Sequence, residues 1–244
     1  MNTKISIVTV CYNAEQEIQK TIHSVLSQNY DNIEYIIIDG CSTDNTLNVV
    51  NKTLKSFPFR DVQVYSEKDK GIFDAMNKGI AKANGLWLNF MNAGDVFCND
   101  EVLSHLFNKS YPDSVGVVYG DTYNNDGLFH MVPFTKYPNG YREMGICHQS
   151  LFVRTALAKE KLFDLSFKVA ADYNMVRNIY DNGYELRYVN TPVSVYDMNG
   201  FSTKNVMRQV DEVAIICHKY HSFSHFRVKI IKYLKFLIKS ILNK

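Results

Sequence analysis

Short apolar runs alternate with segments of helical periodicity between residues 5 and 91. The apolar runs are Ile5–Val10, Ile33–Ile38, Val62–Tyr65 and Leu86–Met91. Between the first two, apolar residues recur every three or four positions, at Ile18, Ile22, Val25 and Leu26. This periodicity predicts an amphipathic helix. Strands that alternate with helices are typical of βαβ units, so this part of the chain is predicted to be an α/β, mostly parallel sheet with helices on both faces.

The pattern changes after Asp95, where helices and strands no longer alternate regularly. Helices are predicted near residues 101–108 and 172–181, and strands near residues 115–119 and 186–190. Mixed elements of this kind favour an α+β arrangement. We therefore expect one domain over residues 1–217, made of a first half (1–95) and a second half (96–217), followed by C-terminal helices.

The last segment, residues 218–244, has the pattern of a basic amphipathic helix. Apolar residues such as Phe226, Ile230 and Leu234 alternate with Arg227 and several lysines, and the segment contains no Asp or Glu. Such a helix can lie in a membrane interface with its cations towards anionic headgroups. The alternative is a helix packed on the protein with a solvated basic face. The absence of acidic residues favours the membrane, so an inner-membrane surface is a predicted partner.

Composition narrows the class of protein. The chain has 244 residues, 46% of them hydrophobic, and a net charge of +2. These values exclude a disordered chain, and the near-neutral charge gives no electrostatic footprint for nucleic acid. The five cysteines are far apart, which predicts reduced thiols. The first residues lack the pattern of a signal peptide, so we expect a cytoplasmic protein, peripheral on the inner face of the inner membrane.

Polar residues follow the predicted strands at the points where ligands bind in open α/β sheets. They include carboxylates and amides, namely Asn13, Asp39, Asp69, Asn92 and Asp95. The chain has no GxGxxG after the first strand and no GxxxxGK[ST], which argues against dinucleotide and P-loop sites. Carboxylate and amide oxygens suit a hard divalent cation. A nucleotide sugar held with Mg²⁺ or Mn²⁺ would fit such a crevice.

Five ordered segments resemble the family-2 glycosyltransferases of the GT-A fold. The segments are residues 5–13, 24–28, 36–44, 69–79 and 88–95. The resemblance is close over roughly the first hundred residues and loose beyond them. It implies a GT-A nucleotide-diphospho-sugar transferase fold and a metal-dependent, inverting enzyme that uses Mn²⁺ or Mg²⁺. Bacterial relatives of this type act in the biosynthesis of surface polysaccharides, including the O-antigen of lipopolysaccharide and capsule.

The resemblance also implies roles for individual residues. It implies donor binding by Tyr12, Asn13, Glu15, Asp39, Asp69, Asp74, Asn77 and Asn92. Asn92 stands where many relatives have an aspartate, which leaves Asp95 as the strong metal ligand. Asp172, within residues 169–173, matches the catalytic base. His148, within residues 145–150, could bind the metal, the diphosphate or the acceptor, and we assign it to the metal.

The predicted reaction is the transfer of a hexose (glucose, galactose or an N-acetylhexosamine) from its UDP form to an undecaprenyl diphosphate-linked saccharide, with a β-linked product. Two alternatives remain open. A nucleotidyltransferase that makes nucleotide sugars would need a glycine-rich loop with a basic residue after the first strand, where this chain has Cys11–Glu15. A non-catalytic sugar- or lipid-binding protein is the other alternative, because Asn92 replaces an acid.

Overall fold

The computed structural model describes residues 3–124, 127–129, 147–196, 205–218 and 222–242. Its strands are β1 (Ile5–Cys11), β2 (Ile33–Asp39), β3 (Asp61–Ser66), β4 (Trp87–Phe90), β5 (Val96–Phe97), β6 (Val115–Asn124), β7 (Gly127–Phe129), β8 (Leu151–Arg154) and β9 (Glu185–Val195). Its helices are α1 (Ile18–Leu26), α2 (Thr46–Leu54), α3 (Ile72–Lys82), α4 (Val102–Phe107), α5 (Thr155–Lys161), α6 (Ala171–Asp181), α7 (Val206–Ile216) and α8 (Phe223–Leu242). A 3₁₀ turn covers His148–Ser150.

The first four strands form the parallel part of the sheet, in the order β3-β2-β1-β4. Strands β1 and β2 are buried along their whole length, as expected for a sheet covered on both faces. Side chains of β1 alternate between two apolar clusters, with Ile5 and Ile7 in one and Val8 and Val10 in the other. The α/β architecture predicted from the alternating pattern is therefore confirmed.

The second half extends the same sheet with antiparallel strands. Strand β8 pairs antiparallel with both β4 and β6, while β9 runs parallel to β6. The sheet is therefore mixed, with antiparallel pairs in its second half, which agrees with the α+β arrangement predicted there. Because β8 has only four residues, it lacks the length for a periodic signal in the sequence. Its insertion next to β4 places the preceding turn, His148–Ser150, beside the end of β4.

The two last helices pack on each other through charged residues. Asp211 of α7 accepts hydrogen bonds from His225 Nε2 (2.8 Å) and Lys229 Nζ (2.8 Å) of α8. The C-terminal helix predicted from residues 218–244 is therefore present over Phe223–Leu242. Among the residues that the structure describes, no helix has both the length and the apolar character needed to span a membrane.

Candidate active site

Loops that follow the four parallel strands meet at one edge of the sheet. Cys11 is in register with Asp39, and Asp39 with Ser66, so β1, β2 and β3 end side by side. Gly40 lies against two of the neighbouring loops, since a Cβ there would stand 2.5 Å from Asp69 Oδ2 and 3.4 Å from the Tyr12 ring. The edge thus brings together residues that are 57 positions apart in the sequence (69 minus 12). Tyr12 is 63% exposed there, open to solvent beside Asp69.

The side chains of Asn13 and Glu15 form hydrogen bonds with the loop that follows β2. Asn13 Oδ1 accepts the backbone N–H of Thr43 (2.8 Å), and Glu15 Oε2 accepts that of Asn45 (2.9 Å). Asn13 itself has a φ of 48°, a left-handed conformation that Asn tolerates better than most residues. These two side chains join the loops after β1 and β2 into one surface.

Asp39 is fully buried at the end of β2. Its carboxylate accepts hydrogen bonds from the Ser66 hydroxyl (2.6 Å) and from both the backbone N–H (3.1 Å) and the hydroxyl of Ser42. A carboxylate with three such donors is well satisfied without a ligand. Its predicted role in donor binding therefore falls on a side chain that already joins the loop after β2 to the end of β3.

Three further predicted residues surround the start of α3. Asp69 Oδ1 accepts the N–H of Gly71 (2.8 Å), and Asp74 Oδ2 accepts that of Lys70 (2.9 Å), so both shape the loop that enters the helix. Asn77 uses both ends of its amide on the backbone of Phe163, at 2.9 and 2.8 Å. Asn77 therefore ties α3 to the second half of the chain.

The loop after β4 carries Asn92 and Asp95, both buried. Thr21 of α1 holds this loop in place through two hydrogen bonds. Its hydroxyl donates to the carbonyl of Asp95 (2.8 Å) and accepts the N–H of Gly94 (3.0 Å). Gly94 has a φ of 105°, which a residue with a Cβ adopts only with strain. The loop conformation thus depends on a glycine and on a threonine from another element.

The turn before β8 connects this loop to the second half of the site. His148 Nε2 lies 3.0 Å from Asn92 Nδ2, and Gln149 Nε2 donates to Asp95 Oδ2 (3.1 Å). The turn is itself held in place, because Asn89 of β4 donates to the carbonyls of Gln149 and Leu151. Two consecutive residues therefore contact the two polar residues of the β4 loop.

Asp172 lies in the first turn of α6 and is 8% exposed. Its Oδ2 is 3.3 Å from His148 Nδ1, and its Oδ1 accepts the N–H of Tyr173 (2.8 Å). A bond from Asn92 Nδ2 to Nε2 of His148 requires the imidazole proton on Nδ1, where it faces Asp172. A continuous chain of hydrogen bonds thus runs from Asn92 through His148 to Asp172.

Electrostatics in this cluster follow from its two carboxylates. Burial lowers the pKa of His148, but the hydrogen bond to Asp172 and the charges of Asp172 and Asp95 outweigh it, so its pKa is raised above the usual value. Burial raises the pKa of the Cys147 thiol to about 12, which makes this cysteine a poor nucleophile at neutral pH. The raised pKa of His148 shows that the charges of Asp95 and Asp172 both reach the same imidazole.

Hard oxygen donors for a divalent cation are present on the β4 loop. Asp95 offers a carboxylate, and Asn92 Oδ1 is buried without a hydrogen-bond partner. The described residues contain no group of three or more His, Cys, Asp or Glu that could hold a metal ion by themselves. Magnesium sites often use one or two protein carboxylates and complete their shell with substrate phosphates and water. The residues fit a cation bound in that way.

His148, which we assigned to the metal, has both ring nitrogens engaged by Asn92 and Asp172. This geometry favours a role beside Asp172 over metal binding. Sequence reasoning missed Thr21 and Gln149. The sequence gives one weak sign of a role for Thr21, which is a polar residue on the apolar face of α1. For Gln149 the only sign is its place in the 145–150 segment. Residues 145 and 146 of that segment lie outside the described residues.

Comparison with protein families gives one match that covers most of the chain. The model of glycosyl transferase family 2 matches residues 6–170. The match includes every predicted donor and metal residue and ends two positions before Asp172 (172 minus 170).

Curated relatives and solved structures agree with this match. The PGL/p-HBAD biosynthesis glycosyltransferase of Mycobacterium tuberculosis is 27% identical over 80% of this chain and 77% of its own length. The putative teichuronic acid biosynthesis glycosyltransferase TuaG of Bacillus subtilis is 35% identical over 42% of this chain and 40% of its own length.

Two solved structures share the fold. Residues 1–349 of S. aureus TarS, in complex with UDP-GlcNAc, match with a TM-score of 0.68, 18% identity and coverage of 91% of this chain and 68% of that one. The mannosyltransferase PcManGT of Pyrobaculum calidifontis, in complex with GDP-Man and Mn²⁺, matches with a TM-score of 0.70, 17% identity and coverage of 94% and 65%.

Proposed function

Because the chain belongs to glycosyl transferase family 2, we propose that it transfers a hexose from a UDP-sugar to a lipid-linked saccharide, with inversion at the anomeric carbon. The observation that carries the proposal is the pair of contacts made by consecutive residues of one turn. His148 contacts Asp172, and Gln149 contacts Asp95. The proposed base and the proposed metal ligand are therefore held in a fixed relation to each other. Such a fixed relation is needed because the acceptor hydroxyl attacks, and the UDP leaves, the same sugar.

Asp172 is the proposed catalytic base. It would accept the proton of the acceptor hydroxyl while that oxygen attacks the anomeric carbon and the UDP leaves from the opposite side. The Nδ1–H of His148 and the N–H of Tyr173 each occupy one carboxylate oxygen and hold its orientation. The remaining lone pairs of the carboxylate are available to the acceptor. His148 is less suited to be the base, since its Nδ1 faces the Asp172 carboxylate and its Nε2 faces Asn92.

Asp95 and Asn92 Oδ1 are the proposed protein ligands of Mn²⁺ or Mg²⁺. When bound, such a metal stabilises the negative charge of a departing diphosphate. Gln149 fixes the Asp95 carboxylate, and Thr21 fixes the loop that carries both residues. The Mn²⁺ in the PcManGT structure supports a divalent metal in a protein of this fold.

The donor is proposed to lie along the loops after β1, β2 and β3. Tyr12 offers an exposed ring and Asp69 a carboxylate beside it, and Asp39 lies at the end of β2 behind them. The UDP-GlcNAc complex of TarS supports a UDP donor, whereas the GDP-Man complex of PcManGT makes a guanosine donor the main competitor.

The acceptor is proposed to be undecaprenyl diphosphate-linked, at the cytoplasmic surface of a membrane. The name of TuaG supports a cell-surface polysaccharide as the product. Helix α8 supports the membrane, since it exposes Phe226, Ile230 and Leu234 near Arg227. An apolar face with cations and no acids matches an anionic lipid surface.

The reaction is tested with purified protein, Mn²⁺ and a synthetic sugar on a lipid diphosphate. Radiolabelled UDP-glucose, UDP-galactose, UDP-GlcNAc, UDP-GalNAc and GDP-mannose are supplied separately. Transfer from a UDP-sugar to the lipid supports the proposal, and transfer only from GDP-mannose contradicts the uridine assignment. UDP binding without transfer from any donor would instead support the non-catalytic sugar- or lipid-binding protein.

The membrane contact is tested by sedimentation with vesicles of phosphatidylglycerol or of phosphatidylcholine. We expect binding to the anionic vesicles, weakened by salt and by the double substitution Ile230→Ser and Leu234→Ser. Phe59→Ser is the matched control, because Phe59 is 97% exposed on a loop distant in sequence from α8. Equal binding of the double variant and the control would contradict the role of α8.

A further inference from the structure

Glu212 is a buried carboxylate outside the site described above. It lies on α7, is 6% exposed, and accepts three backbone N–H groups from one short stretch: those of Lys168 (2.9 Å), Val169 (2.8 Å) and Ala170 (2.9 Å). Burial raises the pKa of a carboxyl group, but these hydrogen bonds and the one from Arg208 outweigh it and lower the pKa of Glu212. Glu212 is therefore a stable anion bound to a backbone segment.

That segment leads directly into the helix of the proposed base. Ala170 is the N-cap of α6, and Asp172 is the second residue of the helix. The N–H of Ala170 is one of the groups at a helix start that have no partner within the helix, and Glu212 satisfies it together with those of the two residues before it. The place of Asp172 in the first turn thus depends on a carboxylate supplied by α7.

The residue after Asp172 is held by the same helix. Tyr173 packs with Val210 and Val213 of α7, and its hydroxyl lies 3.4 Å from Cys217 Sγ. Helix α7 therefore contacts the chain on both sides of Asp172, while His148 contacts the carboxylate itself.

We infer that Glu212 is a positioning residue for Asp172. The inference rests on the proposed function of Asp172 as the base. Loss of the Glu212 carboxylate frees the 168–170 segment and lets the first turn of α6 shift against His148. A displacement of about 1 Å can reduce turnover on the order of 100-fold, while the donor loops after β1, β2 and β3 stay unchanged.

The test compares Glu212→Leu and Glu212→Gln with the control Arg208→Gln. We expect kcat to fall about 10–100-fold in the Leu variant and less in the Gln variant, whose amide oxygen can still accept two of the three N–H groups. The KM for the UDP-sugar and the Kd for UDP should stay within about twofold. Arg208→Gln removes only an ion pair of a side chain that is 52% exposed and should leave kcat unchanged.

Two readouts do not depend on turnover. Deuterium exchange of the 168–170 amides should rise in the Leu and Gln variants, and the ring ¹⁵N signals of His148, assigned with His148→Gln, should shift. Unchanged kcat and unchanged ring signals in Glu212→Gln would overturn the inference. If the wild-type protein transfers no sugar, the proposed function fails, whereas the exchange and ring signals still decide whether Glu212 controls the Asp172–His148 contact.

Discussion

The two halves of the sheet edge use their polar residues differently. In the first half, Asn13, Glu15 and Asn77 direct their side chains at backbone groups of neighbouring segments. In the second half, His148 and Gln149 direct theirs at the side chains of Asp172 and Asp95. The first arrangement fixes loops, and the second fixes functional groups relative to each other. A residue of a family motif that lies where ligands bind can therefore act by holding the loops in place, without contacting the ligand itself.

The largest expected effect is at Asp172. We predict that Asp172→Asn lowers kcat about 10²–10⁴-fold, because general base catalysis contributes that much, while UDP binding in the presence of Mn²⁺ is retained. Asp181→Asn is the matched control, since Asp181 lies on the same helix and pairs with Arg177 at the surface. Steady-state kinetics and titration calorimetry measure both effects. A wild-type rate for Asp172→Asn would remove this residue as the base.

A smaller effect is expected at Gln149, whose side chain donates a hydrogen bond to the proposed metal ligand Asp95. Gln149→Leu keeps the size of the residue but loses the hydrogen bond to Asp95, and residues behind metal ligands typically contribute 10–100-fold to metal affinity or activity. The Mn²⁺ concentration for half-maximal rate should rise by about that factor. Gln63→Leu, on β3, serves as the control, and equal metal dependence of the two variants would contradict the role of Gln149.

Asn77 tests the first half of the comparison. Asn77→Ala leaves a backbone N–H and C=O of Phe163 without partners, which should cost about 1–3 kcal/mol in the free energy of unfolding, with little change in the Kd for UDP. Urea denaturation measures the first quantity and calorimetry the second. If the variant is as stable as wild type but loses UDP, Asn77 is a donor-binding residue, as the resemblance implied, and the contrast between the halves is broken.

The smallest effect concerns Glu34, at the opposite edge of the sheet. Burial raises its pKa, but hydrogen bonds from Ser6 and Asn84 and the charge of Lys4 outweigh this and lower the pKa below its usual value. A lowered pKa stabilises the fold at pH values above the usual glutamate pKa, and this stability is lost as the pH falls through the folded pKa.

Glu34→Gln should therefore be less stable than wild type at pH 7, by about 1–3 kcal/mol, with the difference narrowing towards pH 3. Urea denaturation at several pH values measures it. Turnover at pH 7 should be unaffected, because Glu34 lies away from the carboxyl ends of the strands. A difference that is constant with pH would mean that Glu34 is not ionised differently in the folded and unfolded chains.

The sequence was sufficient for the first half of the fold because its strands are long, apolar and separated by periodic helices. It predicted β1, β2 and α1 to within a few residues. It missed β8, because four residues carry no period, and α7, whose apolar positions we did not interpret. Both elements act through contacts between distant segments, so their effects on Asp172 and Asp95 appear only in three dimensions.

The same reason limits what the sequence indicated about the site. A residue type and its place after a strand located Asp95 and Asp39 at one edge, but they could not distinguish a carboxylate satisfied by Ser42 and Ser66 from one that faces a ligand. Likewise, nothing in the sequence identified the partners of His148. Hydrogen-bond partners are a property of packing.

One short turn supplies the contacts to both the proposed base and the proposed metal ligand, since His148 and Gln149 are adjacent. Asn89 holds the turn through the carbonyls of Gln149 and Leu151. A redesign of this enzyme for a bulkier sugar would have to keep the fixed spacing between Asp172 and Asp95. Widening it by inserting a residue here would disturb both carboxylates at once. Room for a new substrate has to be made in the loops after β1 to β3, whose cross-links can be exchanged one at a time.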